Sequence, residues 1–171
     1  MKGHTVWLTG LSGSGKSAIA QELVKYLNTK RPTVLVDGDE VRKWISYDLG
    51  YTKYARDKNI TRIAGLCYIL TASKLLSVVG VVSPTKRIRN YARSLIKNFT
   101  EIYVNCPLEV CEQRDVKGFY KQARKGEIDF VGINIPYEKP DRPELELFTD
   151  KEGVSRSVAR VVCYLEEKGV I

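Results

Sequence analysis

The chain has 171 residues, 43% of them hydrophobic and 28% charged, with a formal net charge of +8. That length supports one domain with a real core, so a single domain over residues 1–171 is expected, and the composition excludes a disordered or collagen-like chain. No apolar run approaches the roughly 18 residues of a membrane span, and Lys2 and His4 lead at once into an apolar strand, so a cytoplasmic protein without a membrane partner is expected.

The positive charge suits polyanionic substrates or nucleic acid. Basic residues are spread along the chain rather than run together with aromatics, which favours small anionic substrates and argues against nucleic acid. The four cysteines (Cys67, Cys106, Cys111 and Cys163) show no C-x-x-C spacing and sit in apolar patterns. Buried reduced thiols are expected rather than a metal site or disulfides.

Thr5–Thr9 reads as a buried strand. It feeds Gly10-Leu11-Ser12-Gly13-Ser14-Gly15-Lys16-Ser17, which fits the phosphate-binding pattern G-x-x-x-x-G-K-[ST] at each required position. Glycines let consecutive N–H groups curl around a polyphosphate, and the helix that follows, Lys16–Leu27, turns its positive end toward the anion. Lys16 is expected at the β/γ-phosphates of a nucleoside triphosphate and the Ser17 hydroxyl on Mg²⁺.

Thr33–Val36 is a second apolar strand, ending in Asp37-Gly38-Asp39. Continuous apolar strands alternating with amphipathic helices imply a parallel sheet covered on both faces, with functional groups at the carboxyl ends of its strands. There, one aspartate can hold the Mg²⁺ shell and the other can accept a proton from an attacking hydroxyl. The same three residues also suit a turn followed by a helix N-cap.

Glu40–Tyr47 is a short helix carrying Arg42. A polar stretch reaches Asn59, and Ile60, Ile63, Ala64, Cys67 and Leu70 place an amphipathic helix over Asn59–Ala72. Leu75–Val82 is a third strand, ending in Ser83-Pro84, where Ser83 suits an N-cap with Pro84 in the first turn. Lys86, Arg89 and Arg93 then share one helix face, either solvated or turned toward phosphate or sulfate.

Thr100–Asn105 is a fourth strand, Leu108–Arg114 a helix, and a further short helix runs to Lys125. Gly126–Pro143 is irregular yet anchored by Phe119, Tyr120, Phe130 and Tyr137, so residues of about 114–143 are expected to form a lid. Leu145–Phe148 is a fifth strand, and Val154, Val158, Val161, Val162 and Leu165 mark a closing helix.

Taken in order, these motifs resemble the adenylylsulfate (APS) kinase family. The resemblance rests on the phosphate loop, Asp37-Gly38-Asp39 with Arg42, Leu49-Gly50-Tyr51, Arg56-Asp57-Lys58-Asn59-Ile60, Ser83-Pro84, Pro107–Asp115, Lys117-Gly118-Phe119-Tyr120 and Tyr137-Glu138-Lys139-Pro140. It implies an α/β P-loop NTPase fold of about five parallel strands with helices on both faces and a lid, and transfer from ATP with Mg to the ribose 3′-hydroxyl of APS, in a homodimer. It implies Asp39 as the base, with Asp37 and Ser17 at the metal. Arg42, Arg56 and Asn59 grip the acceptor, and Tyr51 and Phe130 sandwich its adenine. Val82, Ser83, Lys86, Val131 and Gly132 line the acceptor site, and Arg114 and Lys117 cover the ATP phosphates.

Ser83 also matches a serine described as a phosphoserine intermediate, although in-line transfer needs only positioning and charge neutralisation. Departures from the family pattern are Val131 for Thr, Thr85-Lys86 for an aromatic and Arg, Val116 for Pro, and Lys74 for Gly. Several touch the acceptor site, which leaves the same transfer to cytidine diphosphoramidate as an alternative. A non-catalytic nucleotide-binding protein is the other alternative, against which the retained Lys16, Ser17, Asp37 and Asp39 speak.

Overall fold

A strand half-exposed to water alternates apolar and polar residues, whereas Val6-Trp7-Leu8 and Val78-Val79 offer apolar side chains to both sides. The computed structural model, which describes residues 2–171, holds the sheet this demands. Strands β1 (His4–Thr9), β2 (Thr33–Asp37), β3 (Leu76–Gly80), β4 (Phe99–Asn105) and β5 (Leu145–Phe148) are all parallel, in the order β2-β3-β1-β4-β5. Val6 lies between Val78 of β3 and Thr100 of β4.

Val6, Leu8, Val78, Ile102 and Val104 pack on one face against helices α1 (Lys16–Leu27) and α7 (Val154–Glu167). Trp7, Val79 and Phe99 pack on the other against α2 (Gly38–Trp44), α3 (Lys53–Ala72) and α4 (Lys86–Leu95). Each fully buried side chain of this size contributes roughly 1.5–3 kcal/mol. Two shorter helices, α5 (Leu108–Arg114) and α6 (Phe119–Arg124), join a satellite cluster of Cys106, Cys111 and Tyr120 against Leu11, Leu108 and Phe130. No helix of the described residues is long and apolar enough to cross a membrane.

The five strands match expectation to within two residues at each end, while two helices do not. α3 starts at Lys53, six residues before Asn59, because the Thr52 hydroxyl caps it by accepting from Ala55 N–H (3.2 Å) and its first turns expose a polar face without apolar periodicity. α2 starts at Gly38 and stops at Trp44, since Asp37 caps it from the strand end. Cys163, expected buried, is exposed on α7; Cys67, Cys106 and Cys111 are buried free thiols.

Lys74 carries a strain that Gly would not. Its φ of 64° is left-handed, its N–H donates to Thr71 O (3.1 Å) and its carbonyl accepts from Arg31 Nη2 (2.8 Å), so the turn is held as built. Lys74→Gly is expected to stabilise by about 0.5–1 kcal/mol, the left-handed penalty less the extra chain entropy of Gly. The check is a higher urea midpoint with an unchanged m value.

Candidate active site

The strand order reverses beside β1, and in parallel α/β sheets this crevice at the carboxyl ends is where ligands bind. The phosphate loop opens into it. Gly13 and Gly15 hold φ of 73° and 98°, and no side chain caps α1 behind Gly15, which leaves the first N–H groups of the helix for an anion. The loop is braced from outside: Tyr120 Oη donates to Ser12 O (2.8 Å) and Thr149 Oγ1 to Ser14 O (2.7 Å). Thr149, just beyond β5, carries no sequence signal for this task; a lone threonine after a strand resembles any turn.

Lys16 Nζ lies folded over the loop, donating to Leu11 O (2.6 Å) and Ser14 Oγ (3.4 Å). Burial pushes its ammonium down to about 8, with nearby Lys117 adding to the effect and Asp39 and Asp37 opposing it. A bound triphosphate favours the charged form. Nucleotide binding is therefore expected to take up a proton once the pH approaches 8, because free Lys16 is then partly neutral while bound Lys16 is charged. Calorimetry in two buffers of different ionisation enthalpy should show roughly half a proton taken up per site at pH 8 and almost none at pH 6.5. Equal uptake at both would contradict this.

The turn-and-cap reading of Asp37-Gly38-Asp39 holds, and both aspartates line the crevice. Asp37 accepts at Oδ1 from Asp39 N (2.8 Å) and Glu40 N (3.3 Å) as the cap of α2, leaving Oδ2 out of the cap. The Asp39 carboxylate, on the first turn of α2, is paired with Lys117 Nζ, which comes from the turn between α5 and α6. Arg114 reaches back from α5 to Gly13 O (3.1 Å) and Thr149 O (2.8 Å).

The far wall is aromatic and cationic. Tyr51 is exposed, with the Arg42 guanidinium 4.6 Å and that of Arg56 5.5 Å from its ring centre. Both arginines also hold backbone: Arg42 donates to Leu49 O (3.2 Å) and Gly50 O (2.8 Å), and Arg56 to Tyr51 O (2.7 Å) and Asp129 O (2.8 Å). Arg56 thereby ties the Tyr51 loop to the segment bearing Phe130, which packs edge-on against Tyr120. Asn59 is buried on this wall with its Oδ1 lacking a partner.

These groups bound one cleft of about 990 Å³, at the upper end of the range for small-molecule sites. Its lining includes Lys16, Ser17, Asp37, Asp39, Arg42, Tyr51, Arg56, Asn59, Val82, Ser83, Arg114, Lys117, Phe130 and Val131. Lys86 does not line it: its ammonium pairs with Asp141 (2.5 Å) and its N–H donates to Glu138 Oε2 (2.7 Å). Nor does Gly132, which is wedged against Leu11 and Leu108. Arg89 and Arg93, expected to share a solvated or ligand-facing side, are instead tied to Glu101 at 2.9 and 3.1 Å.

Ser83 departs furthest from expectation. Thr85, not Ser83, caps α4, and Ser83 is fully buried with a left-handed φ of 37°. Its hydroxyl donates to Thr9 Oγ1 (2.8 Å) and accepts from Trp7 Nε1 (3.2 Å), a scaffold arrangement with no free nucleophile.

A family model described as adenylylsulphate kinase matches residues 2–148. The adenylyl-sulfate kinase of Halothermothrix orenii is 51% identical over 172 aligned residues, covering 99% of this chain and 93% of that protein. The chain belongs to the adenylylsulphate kinase family. The Gloeothece citriformis adenylyl-sulfate kinase is 46% identical, covering 99% and 98%. A solved Mycobacterium tuberculosis APS kinase in complex with AMPPNP and APS superposes with a TM-score of 0.92 at 36% identity, covering 96% of this chain and 98% of that one.

For an APS kinase family member, the residues present fit ATP with Mg²⁺. The loop N–H groups, Lys16 and Arg114 could hold the phosphates, and the Ser17 hydroxyl and the uncapped oxygen of Asp37 are hard oxygen donors of the kind Mg²⁺ takes beside phosphate.

Proposed function

We propose that the chain transfers the γ-phosphoryl group of ATP to the ribose 3′-hydroxyl of adenylyl sulfate, giving ADP and 3′-phosphoadenylyl sulfate. The observation that carries this reading is the single cleft joining the phosphate loop, the Asp37–Asp39 pair and the Tyr51–Phe130 wall. The names of the relatives and of the solved neighbour support adenylyl sulfate as acceptor over cytidine diphosphoramidate.

The chain's own groups have distinct tasks. Lys16, the loop N–H groups and Arg114 bind the phosphates of ATP and offset charge as the γ-phosphoryl moves. Ser17 and Asp37 would hold Mg²⁺, which neutralises phosphate charge when bound. Asp39 accepts the proton of the 3′-hydroxyl as that oxygen bonds to phosphorus and the bond to the ADP oxygen breaks. Lys117, paired with Asp39, exchanges this partner for phosphate as the lid of residues 114–143 closes. Tyr51 and Phe130 stack the acceptor's adenine, and Arg42, Arg56 and the orphaned Asn59 amide take its anionic and ribose groups. The family resemblance supports a homodimer and a single domain over 1–171.

The test is ADP release from MgATP with adenylyl sulfate, cytidine diphosphoramidate, shikimate and gluconate offered in turn. Turnover with adenylyl sulfate alone is expected. Turnover with the cytidine compound but not adenylyl sulfate would replace the acceptor.

A further inference from the structure

We propose that Arg89 is a positioning residue for the acceptor, holding the cleft wall at Val82–Pro84 and joining it to the 137–138 limb of the lid segment; this rests on the proposed transfer to adenylyl sulfate. Its side chain is 2% exposed and does not itself line the cleft. From α4 the guanidinium spreads over three partners on separate segments. Nη1 donates to Ser83 O (2.7 Å), Nη2 to Glu138 O (2.6 Å), and Nε pairs with Glu101 Oε1 of β4 (2.9 Å). Its Cζ lies 5.6 Å from the ring centre of Tyr137, whose hydroxyl meets Thr9 Oγ1 (2.9 Å).

The position of the Ser83 carbonyl explains why a buried cation belongs here. A left-handed serine is strained, and it persists only where its surroundings over-determine it. Arg89 fixes the carbonyl of that residue, while Thr9 and Trp7 fix its hydroxyl. The same guanidinium secures Glu138, whose N–H donates to Pro84 O (2.8 Å). A planar fork can serve these three directions together, and a single ammonium cannot.

Sheet order assigns the effect to the acceptor. Val82–Pro84 leave β3, on the same side of the phosphate loop as Asp39, Tyr51 and Asn59. Arg114 and Thr149, which brace the loop, come from the β4–β5 side. Slackening Ser83 therefore loosens the wall of the acceptor half and leaves the phosphate cradle in place.

The experiment is steady-state kinetics of Arg89→Lys, which keeps a charge for Glu101 but loses the fork. The expected result is a KM for adenylyl sulfate raised about tenfold, with the KM for ATP within about twofold of the parent, as a lost ground-state contact predicts. The pair Arg89→Met with Glu101→Gln removes both buried charges together, so neither is left unpaired, and should show the same split. Should neither fold, hydrogen exchange of the unaltered protein decides: adenylyl sulfate slows the Glu138 N–H, and ATP alone does not. No turnover of adenylyl sulfate by the unaltered protein overturns the functional reading. Turnover by that protein with equal shifts in both KM values, an unchanged acceptor KM, or no slowing at Glu138 overturns the role of Arg89.

Discussion

Asp39→Asn is expected to lower kcat with adenylyl sulfate by about 10²–10⁴-fold, the range for a positioned general base, while the KM for ATP changes little. The carboxylate stands on the first turn of α2, where Asp37 accepts its N–H, so the backbone that aims it does not depend on its own side chain. Asparagine keeps the shape and can still accept from Lys117, but it cannot take the hydroxyl proton. Initial-rate kinetics with ADP release as readout checks this. A loss below tenfold would mean that the proton leaves by another route, with Asp39 reduced to a partner of Lys117.

Lys16→Met is expected to act in opposite directions on catalysis and on stability. Removing a preorganised cation from the phosphates should cost about 10²–10³-fold in kcat/KM. In the ligand-free protein, however, the ammonium is an expense: burial that brings it from 10.5 to about 8 disfavours the charged form by up to about 3 kcal/mol. Its hydrogen bonds there go to Leu11 O and Ser14 Oγ, which a methionine leaves to relax, and the attraction of Asp39 and Asp37 offsets the burial in part. The free variant should melt at or above the temperature of the parent, yet lose the upward shift that ATP gives. A variant that melts lower without ligand and keeps its ATP shift would contradict the assignment.

Much of this was legible in the sequence because it is local. The phosphate loop announces itself through Gly13, Gly15 and Lys16, and the doubly apolar strands Val6-Trp7-Leu8 and Val78-Val79 announce a sheet covered on both faces. Asp37 and Asp39 follow from the rule that sites gather at strand ends. What stayed hidden is long-range. Thr149 reaches the loop from 135 residues away, and Arg89 reads as a solvated helix cation until Glu101, Ser83 and Glu138 close around it. Lys86 shares its spacing and goes elsewhere, because Asp141 and Glu138 lie outside the cleft. Ser83 looked like a cap or a nucleophile, since a Ser-Pro pair before a helix carries no sign that Trp7 and Thr9 occupy its hydroxyl. The early start of α3 was masked by polar residues whose helical face meets water.

The most direct measurement is the position of the transferred group, found by incubating the protein with MgATP and adenylyl sulfate and locating the new phosphate by phosphorus NMR and mass spectrometry. ADP and a single product phosphorylated on the ribose 3′-oxygen are expected, with 3′-deoxyadenylyl sulfate inert. Phosphate at any other position, or ADP formed from the 3′-deoxy compound at the same rate, would contradict it.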